Sequence, residues 1–348
     1  MTTEAAGTRD RRHPYRAVWV LVILLILLAL FAIVAQRLGV TWPWSADYDT
    51  PRVTNIEVGF TGPLYANERG VWINTQGSSE GVNSTVELSR IDPRTNEVHL
   101  GPTVGAGTVV ATENDDLWAI IFHPRGPDRL QRFDGDTLRP KSKQVRIDSF
   151  IIHPKVLHGS VWAMSEGDIL RVDNETARVT RIKVPGFALR SRFFAAAVFA
   201  SGEDSVWVSL VGESGRIVRV DPQTNRVVDY KLQTGPCPTD LAVGYDAVWV
   251  LDRCWNALLR IDPDSGHLEV RAAAGGDPQS LVLAGGFVWI TNGQPGTVTR
   301  IHASTGERAG PRIDVDGVPQ YITAGAGAVW VAPQGDTLVS RIDFESGD

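Results

Sequence analysis

Acids, bases and amides that could do chemistry lie in short polar stretches between apolar runs of this chain. These stretches hold Gln76, His123, Arg125, Glu166, Asp168, Glu213, Asp252, Arg253, Trp255, Asn292, Gln294, Gln334 and Asp336. An imidazole near a carboxylate can share a divalent metal or move a proton. Arginine beside aromatic rings does something else: it anchors a partner surface. That combination occurs in "GFALRSRFF", which places Phe187, Phe193 and Phe194 beside Arg190 and Arg192. The same rings could equally plug the end of a sheet. Trp255 belongs with the binding candidates, because it stands outside every regular pattern described below.

Other chemistries lack their residues. The one Glu-x-His is Glu97-Val98-His99, His153 and His158 have no third ligand at a usable spacing, and there is no Gly-x-Ser-x-Gly elbow or glycine-rich phosphate loop. Beyond residue 37 the chain keeps 29 of its 34 basic and 38 of its 40 acidic residues, a net of −9. Phosphate contacts need a basic footprint, so nucleic acid is not an expected partner.

The elements that position these groups follow from a repeat. Val71-Trp72, Leu117-Trp118, Val161-Trp162, Val206-Trp207, Val248-Trp249, Val288-Trp289 and Val329-Trp330 recur every 40 to 46 residues. Each is followed by Arg-apolar-Asp or a close relative, from Arg90-Ile91-Asp92 to Arg341-Ile342-Asp343, with His302 the one exception to the Asp. Short alternating strands at this period are expected of propeller blades, since a four-stranded sheet buries its faces only when neighbours stack on it. One unit resolves into strands at 239–244, 247–251, 257–262 and 267–272. Turns such as "DPRTN" and "DPDSG" join the last two strands, so the repeated Asp is expected to cap a turn rather than bind a ligand.

Counting units gives an all-β, seven-bladed β-propeller. The last unit stops one strand short, and "RVTNIEVG" (52–59) has no partners of its own. Used as the outer strand of the last blade, it closes the ring and hides both edges. Loops after the second and fourth strands form one face, here the top, and they vary. From Trp to Arg the first two units span 18 and 14 residues and the others 9 to 12. The polar candidates above lie on this variable face, where repeat scaffolds usually carry function.

"VWITN" (288–292) and "VWVLD…LLRID" resemble the virginiamycin B lyase-like and YVTN-type seven-bladed propellers, over about residues 52–348. The resemblance implies the fold. Its members include a metal-assisted lyase that uses His and Glu residues, and others that only bind. Lyase-like repeats tend to place Glu shortly after the Trp, where this chain has Asp252, Asn292 and Pro333, so no catalytic residue carries over. The expected role is binding or scaffolding of a partner protein or small ligand, without a cofactor. Alternatives are a lyase using a divalent metal such as Mg, and an accessory subunit of a membrane complex.

Two further features concern placement. Ala17 to Ala35 is an uncharged apolar run of 19 residues, behind Arg9, Arg11, Arg12 and Arg16 and ahead of Arg37. It is long enough to approach a ~30 Å hydrocarbon core, and the positive-inside bias leaves the N-terminus in the cytoplasm. The expected order is a cytoplasmic tail (1–16), a transmembrane helix (17–37), a linker (38–51) and an extracytoplasmic propeller (52–348). The expectation is a single-pass protein of the cell membrane whose variable face points away from the bilayer. Finally, Cys237 and Cys254 stand at equal distances from a hairpin turn at Tyr245-Asp246, so in an oxidising exterior they are expected to form a cross-strand disulfide.

Overall fold

The repeated Trp and Arg are neighbours in space. In the computed structural model, Trp72 pairs with Arg90, Trp118 with Arg132, Trp162 with Arg171, Trp207 with Arg219, Trp249 with Arg260, Trp289 with Arg300 and Trp330 with Arg341, each across two antiparallel strands. Directly opposed residues share one face of a sheet, and Trp162, Trp207, Trp249, Trp289 and Trp330 each have the opposed guanidinium over the ring. Arg171 and Arg341 lie over Trp162 and Trp330 at 5.2 Å from the ring centroids.

The structure describes residues 51–344 except 60, 77–85, 105–106, 111–115, 122–126, 148–150, 186–196, 203, 211–215 and 231–233. The expected transmembrane helix falls outside the described residues. Seven four-stranded antiparallel sheets result. Their innermost strands are Thr61–Ala66, Gly107–Val110, Ile152–Leu157, Ala197–Ser201, Pro238–Gly244, Pro278–Ala284 and Pro319–Gly325, numbered here as blades one to seven.

Each Trp plugs into the blade that follows. Trp72 lies among Leu117, Ala119 and Phe133, Trp162 beside Phe199 and Val206, Trp249 beside Leu281 and Val288, and Trp330 among Leu64, Val71 and Ile73 of blade one. The series is circular. The Trp-bearing strands Ser160–Ser165, Ala247–Asp252 and Ala328–Pro333 are buried at every position, because blades cover both of their faces. The outer strand Leu268–Ala273 alternates instead between exposed and half-buried positions. Buried indole N–H groups are satisfied locally: Trp162 donates to the Leu157 carbonyl at 2.8 Å, and Trp249 to that of Gly244 at 3.1 Å.

The ring closes as the sequence predicts. Val53–Glu57 pairs with Leu338–Asp343, in register from Val53 opposite Ile342 to Glu57 opposite Leu338. It becomes the outer strand of blade seven, so N- and C-terminal segments share one sheet. Ile56 and Val58 pack with Trp330 and Val339 in the same core.

The turn Asp residues act as caps. The Asp262 carboxylate accepts from the amides of Asp264 (3.2 Å) and Ser265 (2.7 Å), and Asp173 accepts from those of Glu175 (3.2 Å) and Thr176 (2.7 Å). The left-handed position of the turn falls to Asn96, Asn225, Gly266 and Gly306, but also to Leu138 and Ala177. Leu138 is held there by packing. Its side chain is buried against blade one, where Gly101 leaves it room: a Cβ on that glycine would lie 2.4 Å from Leu138 Cδ1.

Candidate binding face

Glycine and proline shape the top of the later blades. "GPCP" (235–238), "GGDP" (275–278) and "GVP" (317–319) each enter an inner strand through proline. Gly235, Gly275 and Gly317 take positive φ values of 84°, 118° and 69°. They also lie against the end of the Trp-bearing strand. A Cβ on Gly235 would meet Asp252 Oδ2 at 2.3 Å, and one on Gly317 would meet Pro333 Cβ at 2.9 Å. These glycines serve both conformation and close approach.

Asp252 and Asn292 follow from that packing. Both are fully buried, so they lie inside the loops rather than on their surface as the polar pattern suggests. The Asp252 carboxylate accepts from the Cys237 amide at 3.0 Å and the Trp255 amide at 2.8 Å, which ties two top loops together. Asn292, oriented to satisfy both ends of its amide, donates to the carbonyls of Ala274 (3.2 Å) and Gly276 (2.7 Å) and accepts from the Thr299 hydroxyl (2.9 Å). Buried polar groups need such partners. With no exposed surface, neither side chain is open to a ligand from solvent.

Cys237 and Cys254 are bonded to each other, with Cα atoms 5.4 Å apart. The register differs from a uniform hairpin, however. Gly244 to Asp240 pair with Ala247 to Leu251, and then the register slips so that Pro238 meets Asp252. Thr239 is the extra residue of a bulge, which proline at the strand start favours. The Arg253 amide donates to the Cys237 carbonyl at 3.0 Å, and the disulfide joins the two loops just beyond.

The pinned loop presents an aromatic group. Trp255 is 39% exposed. One part of its ring lies against Gly235, where a Cβ would come within 2.9 Å, and the Arg271 guanidinium sits 4.5 Å from its centroid. Arg253 turns toward blade six and holds Asp277 through Nε at 2.9 Å and its terminal nitrogen at 2.7 Å. Asp277 in turn accepts from the Gln294 amide at 3.3 Å. Arg253, Trp255 and Gln294 are thus one connected surface across blades five and six, with Arg271 and Asp277 as members that the sequence pattern does not single out. Only the ion pair and the ring contact reveal them.

Other candidates are local. Asp168 starts a strand opposite Ser165 and pairs with Lys183 at 3.2 Å, while Glu166 sits exposed at the hairpin tip with a φ of 53°. Gln334 is exposed. The Asp336 carboxylate caps the Thr337 amide at 2.7 Å, and its carbonyl accepts from the Thr61 amide of blade one at 2.7 Å. His123, Arg125, Phe187, Arg190, Arg192, Phe193, Phe194 and Glu213 lie outside the described residues, and Gln76 is described only as backbone. Glu97-Val98-His99 runs into the outer strand Val98–Val104.

Comparison with family models and with curated protein sequences finds no match. Solved structures do match. Virginiamycin B lyase from Staphylococcus aureus superposes with a TM-score of 0.65 at 15% identity, covering 84% of this chain and 99% of that one. A streptogramin B lyase gives 0.66 at 14% identity, covering 86% and 100%. YCF48 bound to D1 peptide gives 0.60 at 13% identity, covering 87% and 98%. At these identities the likeness is one of fold, which enzymes and binding proteins share. Among the described residues no three His, Cys, Asp or Glu are grouped to hold an ion.

Proposed function

We propose that this chain is a binding or scaffolding module, anchored in the cell membrane by residues 17–37, that engages a partner protein or small ligand outside the cytoplasm through its top-face loops. The observation that carries this reading is the disulfide-pinned loop of blade five, where Trp255 stays exposed, backed by Arg271 and flanked by the Arg253–Asp277 pair. Exposed Trp and Arg on a rigid frame lose little freedom on binding and dominate interface energetics. The peptide bound to YCF48 supports the same use of this fold.

A photo-crosslinking residue placed at Trp255, in the full chain in its native membrane, tests the reading. The expected result is one discrete adduct, absent when the same residue replaces Tyr245 in a loop of the opposite face. Equal adducts from both positions would remove the top face from the interaction. Tight, stoichiometric divalent-metal binding by the same protein, lost with top-face carboxylate substitutions, would favour the lyase reading instead. Reporter fusions check the anchor: alkaline phosphatase should be active when joined after residue 51 and inactive when joined after residue 16.

A further inference from the structure

The loop that carries Trp255 is bonded to the outer strand beside it as well as to its own disulfide. The Asn256 amide donates to the Arg253 carbonyl at 3.1 Å, the Asn256 carbonyl accepts from the Ala274 amide at 3.1 Å, and the Asn256 side chain accepts from the Gly276 amide at 3.0 Å. These bonds join residues 253–256 to the segment that follows the strand Leu268–Ala273. Arg271 belongs to that strand, where it pairs with Leu259. Ring and guanidinium are therefore parts of one unit, and their 4.5 Å approach is framed by backbone bonds on both sides.

The charges on this unit do not balance. Arg253 holds Asp277 at 2.7 Å, and Arg260 holds Glu269, which precedes Arg271 on the same strand. Arg271 is exposed and meets the indole, with no ion-pair partner among the described residues. One positive charge is left over. A ring against the flat of a guanidinium leaves the N–H groups at its edge, and these form a planar fork that matches a carboxylate. Beside that fork, the exposed part of Trp255 offers an apolar surface.

We propose that the partner taken by this face is a protein segment with one acidic side chain next to an apolar one. The carboxylate takes the edge of Arg271, and the apolar side chain covers the open part of the Trp255 ring. This rests on the top-face binding reading and adds what the partner must carry. Long-range attraction does not select an acidic partner, since beyond residue 37 the chain has 29 basic against 38 acidic residues. Recognition is local, one negative charge matched to one surplus cation. A phosphate dianion would bring a second negative charge toward Asp277 and Glu269.

Retention of the full-length protein, in detergent, on immobilised short peptides tests this. The peptides share one Gly/Ser frame and differ at a central pair: Glu-Leu, Gln-Leu, Lys-Leu, Glu-Ser or phosphoserine-Leu. Glu-Leu is expected to retain the wild type about tenfold better than Gln-Leu, the effect of one charge-assisted pair, and better than Glu-Ser. Arg271→Met should lose the preference for Glu, and Arg271→Glu should prefer Lys-Leu. Because Arg271 is exposed, both variants should keep the wild-type denaturation midpoint. Retention on Glu-Leu no greater than on Gln-Leu, or an undiminished preference for Glu in Arg271→Met, would overturn the inference. Stronger retention on phosphoserine-Leu than on Glu-Leu would overturn its assignment to carboxylates. A discrete crosslinked adduct at Trp255 without any preference for Glu would remove the acidic segment and leave the binding face standing, whereas loss of both would remove the face.

Discussion

The Arg341 guanidinium donates to the side-chain oxygen of Asn96 at 2.9 Å, although 245 positions separate the two residues. Arg341 also donates to the Pro93 carbonyl and to Asp343, and lies over Trp330. One side chain thus stacks on its own blade and clasps the turn of the next. Arg171 repeats the arrangement, donating to Asn225 Oδ1 at 3.1 Å and to the Pro222 carbonyl. Arg132 reaches the Asn174 carbonyl at 3.4 Å, and Arg90 approaches Asp136 at 3.8 Å. In these four repeats the Trp and Arg-apolar-Asp are parts of one joint: Trp fills the gap between blades, Arg crosses it, and the capped turn receives it, whereas Arg260 and Arg300 bond within their own blades, to Glu269 and to the Ala309 carbonyl.

That joint predicts the effect of its removal. Arg341→Ala loses charge-assisted hydrogen bonds and the stacking contact, and should cost about 2–3 kcal/mol. Asn96→Gly keeps the left-handed turn conformation (φ 61°) while deleting the acceptor, and should cost about 1 kcal/mol. In urea denaturation the double variant should be less destabilised than the two single effects added together, because both remove the same bond. Strict additivity would show that the contact contributes nothing.

The closing strand carries comparable weight. Ile56→Ala removes a side chain packed with Trp330 and Val339 and should cost about 2–4 kcal/mol. Deleting residues 52–59 does more, since it strips Leu338–Asp343 of its outer neighbour and opens an edge. Limited proteolysis should then release the C-terminal blade first. A deletion variant as resistant as the wild type would contradict the shared sheet.

Blade number and closure were legible because both depend on period and on counting strands, which side-chain pattern reports directly. Loop detail was not. Asp252 and Asn292 look like surface polar residues until the glycines beside them bring backbone close enough to bury them. The bulge at Thr239 moves Cys237 by one register position, which no alternation of apolar residues encodes. Leu138 and Ala177 take the left-handed turn position usually given to Gly or Asn, because packing or the capped turn outweighs the local preference. The approach of Lys155 to Asp240 joins blades three and five, and a pattern confined to single repeats has no means of showing it.

Stability should be lost at low pH through the turns. A hydrogen bond from the Arg94 side chain, then its backbone amide, lowers Asp92 to about 2, and the Thr137 amide and hydroxyl lower Asp134 to about 2. Hydroxyls of Thr176, Thr224 and Ser265 lead the lowering of Asp173, Asp221 and Asp262. Their folded values lie below the unfolded value of about 3.9, so the contribution is complete above that value and disappears as pH falls toward 2. The denaturation midpoint should be level above about pH 5 and drop between about pH 4 and 2. Replacing Asp92 and Asp134 with Asn should shallow that drop.

The alkaline limit has the opposite sign. Burial, Tyr321 and Asp240 raise Tyr65 above the unfolded phenol value of about 10, so its neutral form favours folding fully below about pH 10, and this contribution is lost as pH rises beyond it. Tyr65→Phe should remove that part of the alkaline destabilisation while leaving the acid limb unchanged. Absorbance at the phenolate wavelength during an alkaline titration locates the group independently.

The disulfide should act locally on the surface that holds Trp255. It spans 17 positions, which in the chain-entropy account corresponds to about 3 kcal/mol. Cys237→Ser with Cys254→Ser should lower stability by up to that amount. Because the Arg253, Trp255 and Asn256 amides lie in or beside the linked loop, their hydrogen exchange should accelerate more than that of the Trp289 and Trp330 strands. The Asp252 carboxylate would still hold the Cys237 and Trp255 positions, so Asp252→Asn in the cysteine-free background should release the loop further. If exchange instead rose evenly around the ring, the bond would stabilise the propeller as a whole and the aromatic surface would owe its order to the buried carboxylate alone.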